Sequence, residues 1–170
     1  LVVELLSYVQ SEDLEIDRRE FAPNQSISDL AELARLEGQG DRTVGVDLKL
    51  PAGASVFADQ RLFQRAVENV LRNAVQHAHG EVLLEVAQEA DHVAVAVHDD
   101  GPGIPEDLRE KVKAPFFRLQ ADRDRKTGGV GLGLAIVSRI MNRHGGHLDI
   151  GNSQLGGAKV TMFWPKEGLS

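Results

Sequence analysis

Three stretches carry residues whose type and spacing could do chemistry. In Asp99-Asp100-Gly101-Pro102-Gly103-Ile104-Pro105 a carboxylate arrives on the alternating run Val93-Ala94-Val95-Ala96-Val97, and two glycines then turn the chain beside it. Such a strand end places a buried acceptor next to backbone that can approach a flat ligand closely, because glycine has no Cβ. The pattern alone is common in loops, and a plain turn is its competing reading. Upstream, Asn69, Asn73 and His77 recur at i, i+4 and i+8, on the flank of a stripe formed by Phe63, Val67, Val70, Leu71, Ala74 and Ala78. Two amides at the border of a core face can line a pocket rim. Magnesium suits that chemistry, since it takes oxygen ligands and keeps waters and substrate phosphates; capping or surface asparagines are the alternative. Downstream, Gly128-Gly129-Val130-Gly131-Leu132-Gly133 opens a helix, and consecutive N–H groups there form a phosphate cradle. A charged loop precedes it where a dinucleotide fingerprint needs a strand, and no G-x-x-x-x-G-K-[ST] loop is present.

The elements that must hold these residues can be placed by period. Asp59 caps a helix from Gln60 to about Ala78; Glu81–Ala87 and His92–Asp99 form neighbouring strands; Val130–Arg143 is a second long helix; His147–Gly151 and Ala158–Trp164 form a closing hairpin. Before them, residues 1–12 give an amphipathic helix end through Val2, Leu5, Leu6 and Val9. Leu14–Asp17 alternates as a strand, a helix runs near Ile27–Leu36 with Ser26 or Ser28 as cap, and Thr43–Leu50 forms a strand. Strand runs between three helices imply helices packed on one face of a mixed sheet. The 170 residues make one domain with a short appendage, and the formal charge of −7 argues against a nucleic-acid partner. No cysteine is present, which excludes disulfides and thiolate chemistry. No apolar run approaches the roughly 18 residues of a membrane span. The start at Leu1, without a methionine, fits a piece of a longer protein.

In fixed order, Glu68-Asn69-Val70-Leu71-Arg72-Asn73, the Asp99–Gly103 turn, Pro115-Phe116-Phe117-Arg118 and Gly129-Val130-Gly131-Leu132-Gly133-Leu134 resemble the N box, first glycine box, F box and second glycine box of the ATP-binding domain of bacterial sensor histidine kinases. That domain belongs to the group of ATPases shared with Hsp90, type II topoisomerases and MutL, and the resemblance runs from about Phe57 to Pro165. It implies an α+β fold, a two-layer α/β sandwich with three helices on one face of a mixed sheet. Residues 1–12 would be the end of the dimerisation and phosphotransfer helix, and 13–170 the ATP-binding catalytic domain. By the same resemblance Asn73 is a magnesium ligand, Asn69 its partner on the ion or its waters, and Asp99 the acceptor for the adenine amine. Gly101, Gly103 and Ile104 pass the base, and His77 stacks on or bonds the nucleotide. Gly129, Gly131, Leu132 and Gly133 hold phosphates. Arg118 and Lys126 belong to a lid, with Arg123 and Arg125, and residues 119–129 have almost no apolar anchors, so little burial offsets the entropy of ordering them.

The chain departs from the family at four positions. Gln76 and His77 stand where a basic residue and an aromatic are usual, so Arg72 or the lid must supply a phosphate-facing charge. Lys113 replaces the first phenylalanine of the F box, and Ala158 a threonine. Of His77, His79, His92, His98, His144 and His147 only His98 is followed by an acidic residue and a nearby proline (Asp99 and Pro102), and there both belong to the glycine-box turn, so none is read as the phosphoacceptor. The resemblance therefore implies a kinase domain that passes the γ-phosphoryl of Mg-ATP to a histidine on an absent helix bundle, for a response regulator. It would work in a cytoplasmic part of an inner-membrane homodimer. The alternatives are a non-catalytic nucleotide-binding module or an anti-sigma-factor-type serine kinase; an Hsp90-like ATPase normally calls for an acidic residue in place of Asn69.

Overall fold

A two-residue period decides the centre of the molecule. The computed structural model describes residues 2–13, 15–37, 43–120 and 131–168. Along the chain run α1 (Val2–Asp13), β1 (Arg19–Phe21), α2 (Asn24–Glu37), β2 (Gly45–Lys49), β3 (Val56–Ala58), α3 (Gln60–His77), β4 (Glu81–Gln88) and β5 (His92–Asp99). Two single-turn 3-10 helices (Glu106–Leu108 and Lys111–Lys113), α4 (Gly133–Arg143), β6 (His147–Asn152) and β7 (Ala158–Pro165) follow. Five strands make one sheet in the order β2-β4-β5-β7-β6, while β1 pairs with β3. Only β2 and β4 run parallel; the other neighbours are antiparallel. Val82, Leu84 and Val86, then Val93, Val95 and Val97, then Val160, Met162 and Trp164 are all buried, the alternate positions of strands whose other face carries no helical layer. Against them lie Leu62, Phe63, Ala66, Val67, Val70 and Leu71 of α3 and Ile136, Val137, Ile140 and Met141 of α4. This is the α/β sandwich the sequence implied. Among the described residues no helix is long and apolar enough to cross a membrane.

Two expectations near the start are corrected and one strand is added. The strand lies at Arg19–Phe21, not Leu14–Asp17, because the Asp17 N–H is taken by Oδ2 of Asp59 at 3.1 Å instead of by a strand neighbour; Leu14 is outside the described residues. Ser26 and Ser28 do not cap α2. The helix begins at Asn24, and their hydroxyls donate back to the carbonyls of Pro23 (3.1 Å) and Asn24 (2.9 Å). Strand β3 was missed, since three residues cannot display a period.

The start of α3 is pinned as its sequence demands. Oδ1 of buried Asp59 accepts the N–H groups of Arg61 (3.0 Å) and Leu62 (3.3 Å). Burial alone would raise the Asp59 carboxyl, but the Arg61 guanidinium and the N–H groups of Asp17 and Leu62 outweigh it and hold it low. The Asp59 N–H donates in turn to Nε2 of His144 (3.1 Å), whose Nδ1 donates to the Ile140 carbonyl (2.8 Å). One ring nitrogen must therefore be bare, and burial pushes the imidazole down. A group with a depressed folded pKa gives stability that is present above its unfolded value and lost as pH falls. We therefore expect stability to decline from about pH 6.5 downward through His144, then below about pH 4 through Asp59. Urea titrations at pH 7 and pH 5 check this: the loss over that interval should be smaller in His144→Gln.

Candidate functional site

Because β5 buries Val93, Val95 and Val97 on its helix side, Asp99 in the same register lands on that side too, beside the end of α3, and is 4% exposed. Its Oδ1 accepts the N–H groups of Gly101 (2.9 Å) and Ala158 (3.2 Å), and its main-chain carbonyl accepts that of Gly157 (3.0 Å). Among the described residues no donor meets Oδ2. Asp100 is spent differently, since its Oδ1 accepts the N–H groups of His79 (2.8 Å) and Gly80 (3.0 Å) and closes the turn after α3. Burial would raise that carboxyl, but the backbone donors of Gly80, Glu81 and His79 outweigh it and hold it low. A Cβ on Gly101 would run into the His77 carbonyl, 2.9 Å from its carbon, so the turn can lie this close to α3 only as glycine. Gly103 takes a left-handed φ of 75°, and half-buried Ile104 packs on the core. Ala158 contributes its backbone N–H to this seat.

Asn69, Asn73 and His77 lie along one edge of α3, partly exposed beside its buried face. Asn69 donates Nδ2 to the Arg65 carbonyl (2.8 Å), which leaves Oδ1 facing α4, 3.7 Å from where a Cβ on Gly133 would sit. The Asn73 side-chain amide has no protein partner among the described residues, while its main-chain carbonyl bonds Nδ1 of His77 (2.7 Å). At the facing end of α4, Gly131 has φ 80° and its carbonyl accepts the Phe116 N–H (3.1 Å). Leu132 is buried and its carbonyl accepts the first closed bond of the helix, from Ile136 (2.9 Å). The N–H groups of Gly133, Leu134 and Ala135 therefore precede any intrahelical partner and are available to an anion. Arg118 lies beside Gly131, its Cγ 3.0 Å from a would-be Cβ there. The structure thus sets the Asp99 turn against the end of α3 and the start of α4 against Asn69. Lys126, Gly129, Arg123 and Arg125 lie outside the described residues, as does most of the 119–129 lid.

Other expectations change. Arg72 is no substitute for the missing charge at Gln76, since it pairs with Glu68 (2.8 Å) and Glu37 (3.5 Å). Phe117 packs on the core, whereas Phe116 is 59% exposed with a left-handed φ of 64°. Lys113 tethers its 3-10 turn to β6 by donating to the Leu148 carbonyl and to Glu110, both at 2.8 Å. Gly157 was not foreseen as part of the site. Its would-be Cβ meets Oδ1 of Asp99 and lies 2.6 Å from both the Asp99 carbonyl and the Gly101 nitrogen. Nothing in the sequence marks it, because Gly156-Gly157 looks like any hairpin turn.

A family model described as histidine kinase-, DNA gyrase B-, and HSP90-like ATPase matches residues 58–168. The chain is similar to the sensor protein RstB of Escherichia coli K12, 36% identical over 97% of this chain and 38% of that protein. It is also similar to the sensor histidine kinase CpxA of the same strain, 32% identical over 84% and 31%. It therefore spans about a third of the length of these relatives. The structure of full-length ShkA in complex with AMPPNP superposes with a TM-score of 0.79 at 26% identity, over 96% of this chain and 35% of that one. With the Asp99 seat and the glycine turns in place, these likenesses have one meaning: the chain belongs to the histidine kinase-, DNA gyrase B- and HSP90-like ATPase family, as an ATP-binding catalytic domain of the sensor histidine kinase kind.

Proposed function

We propose that this chain holds Mg-ATP in the cleft between α3 and α4 and, within a longer protein, presents its γ-phosphoryl to a histidine on a dimerisation helix. The observation that carries the reading is Asp99: a buried carboxylate with Oδ1 fixed by backbone and, among the described residues, no donor on Oδ2. An exocyclic amine fills that position, whereas guanine brings a carbonyl oxygen there and leaves the acceptor unpaired. Gly101 and Gly103 pass the base, Ile104 and His77 border it, and the N–H groups from Gly131 through Gly133 receive phosphates, helped by Arg118 and, from the lid, Lys126 and Gly129. The donor set fits magnesium, because the unpartnered Asn73 amide and the Oδ1 of Asn69 offer hard oxygens on the phosphate side. Among the described residues no three histidine or carboxylate side chains gather as a cage, so phosphates and water would complete the shell. Asn73 would be the direct ligand and Asn69 would hold the ion or its waters. The ion supplies neutralisation of charge on the transferred group, and the chain supplies position, the main tools of phosphoryl transfer.

The phosphoacceptor bundle, to which α1 would be the connecting end, and the response regulator downstream are the implied partners, in a homodimer whose catalytic part faces the cytoplasm. Support comes from the relatives' names, and from α1 lying on α4 with the Tyr8 ring 4.6 Å from the Arg139 guanidinium carbon. The test uses radiolabelled ATP with this chain alone and with the separately made bundle of its parent. No acid-labile label should appear on the chain alone, and label should appear on the bundle, slowly, because joining the domains normally supplies an effective concentration in the millimolar range. A folded bundle that stays unlabelled beside an ATP-loaded chain would leave only a binding module. Calorimetry should show ATP preferred over GTP, and Asp99→Asn should cost about 1–3 kcal/mol of ATP binding; equal affinity for both nucleotides would remove the adenine assignment.

A further inference from the structure

His98 follows the sheet alternation to the face opposite Asp99, yet it is only 3% exposed. Its Nε2 bonds Oε1 of Glu85 on β4 (2.9 Å) and its Nδ1 bonds Oγ of Ser153 (3.0 Å). Glu85 can only accept, so Nε2 carries hydrogen and Nδ1 can take the Ser153 O–H. The same Oγ accepts the Leu155 N–H (2.9 Å), the Ser153 carbonyl accepts the Gly156 N–H (3.0 Å), and the Ser153 N–H donates to the Gly157 carbonyl (2.8 Å). Ser153 thus organises the whole β6–β7 turn. The far side of that turn supplies the Gly157 and Ala158 N–H groups that grip Asp99. Two consecutive residues of β5 therefore clamp one turn from both faces of the sheet, His98 by its side chain and Asp99 by its carbonyl and carboxylate.

We propose that His98 and Ser153 are a positioning pair that aims the Asp99 carboxylate through the β6–β7 turn and so sharpens adenine recognition. The inference rests on Asp99 being the adenine acceptor. Neither residue touches the nucleotide; their effect passes through Gly157 and Ala158. A slack turn lets Oδ1 drift from the Ala158 N–H, and the open Oδ2 then samples several directions instead of one.

Calorimetry with ATP and GTP on His98→Leu, Ser153→Ala, His98→Asn and His98→Gln tests it, with thermal melting recorded for each. His98→Leu and Ser153→Ala should each weaken ATP about three- to tenfold, the factor that the net worth of one hydrogen bond converts to. The ATP-to-GTP preference should shrink with it, and the double variant should be no worse than the poorer single one. Asparagine places a polar atom where Nδ1 was and should restore both affinity and preference. Glutamine reaches only toward Glu85 and should behave like leucine. If the variants lower melting temperature but keep wild-type affinity and preference, the pair is merely structural and the proposal fails. Asp99→Asn, measured alongside, separates the two ideas. Loss of ATP there, without loss in the His98 and Ser153 variants, overturns the positioning role alone; no loss in Asp99→Asn overturns the adenine reading and the inference with it.

Discussion

Gly157→Ala should weaken ATP binding by about a hundredfold or more while the domain stays folded. A Cβ at that position meets Oδ1 of Asp99 and lies 2.6 Å from the Asp99 carbonyl and the Gly101 nitrogen. None of these is the end of a flexible side chain: Asp99 is buried and held by two backbone donors. The added methyl must push apart the β5 end, the glycine turn and the β6–β7 turn together. Overpacking of this kind costs about 1–3 kcal/mol, and losing a hydrogen bond to a charged group costs about 1.5–3 kcal/mol more. Both fall on the binding geometry. Gly156→Ala is the natural control. Gly156 has φ 104° but nothing within 4 Å of its would-be Cβ, so that substitution strains the backbone without invading the seat. It should lower the melting temperature and change ATP affinity little. Unchanged ATP affinity in Gly157→Ala, measured by calorimetry, would show that the turn does not hold Asp99.

What the sequence disclosed and what it hid differ by physical kind. The α3 stripe of Phe63, Val67, Val70, Leu71 and Ala74, the Asp59 cap and the alternation of β5 are local patterns, and each appears where the residues place it. The faces on which Asp99, Asn69 and Asn73 lie follow from their positions along β5 and α3, while the roles given to them rest on the resemblance. Three hidden features depend on partners far away in sequence. Gly157 matters only because β5 and β7 are neighbours, which brings residues 99 and 157 together. The β1 strand moved because the Asp17 N–H is claimed by Asp59, 42 residues on. Arg72 looked available to phosphate until Glu37, 35 residues back, came beside it. The exposure of Phe116 follows from a left-handed backbone that its sequence does not announce.

Asn73→Ala should nearly abolish phosphoryl transfer to the acceptor bundle and remove the magnesium dependence of ATP binding. The side-chain amide of Asn73 is the group in the cleft with no protein partner among the described residues, whereas Asn69 is turned by its bond to the Arg65 carbonyl. The Asn73 amide is partly exposed and takes no part in the packing of α3. Removing it should therefore not disturb α3, whose packing comes from Phe63, Val67, Val70 and Leu71, and the melting temperature should hold. Losing even a supporting group around a metal typically costs about 10–100-fold in affinity or activity, and a direct ligand should reach the upper end or beyond. The measurement is ATP affinity with magnesium and with EDTA, together with label transferred to the bundle. The wild type should bind more tightly with magnesium and the variant equally in both. A variant whose affinity fell just as far in EDTA as in magnesium would make Asn73 a structural residue. Transfer would then have to be charged to Asn69, Arg118 and the lid.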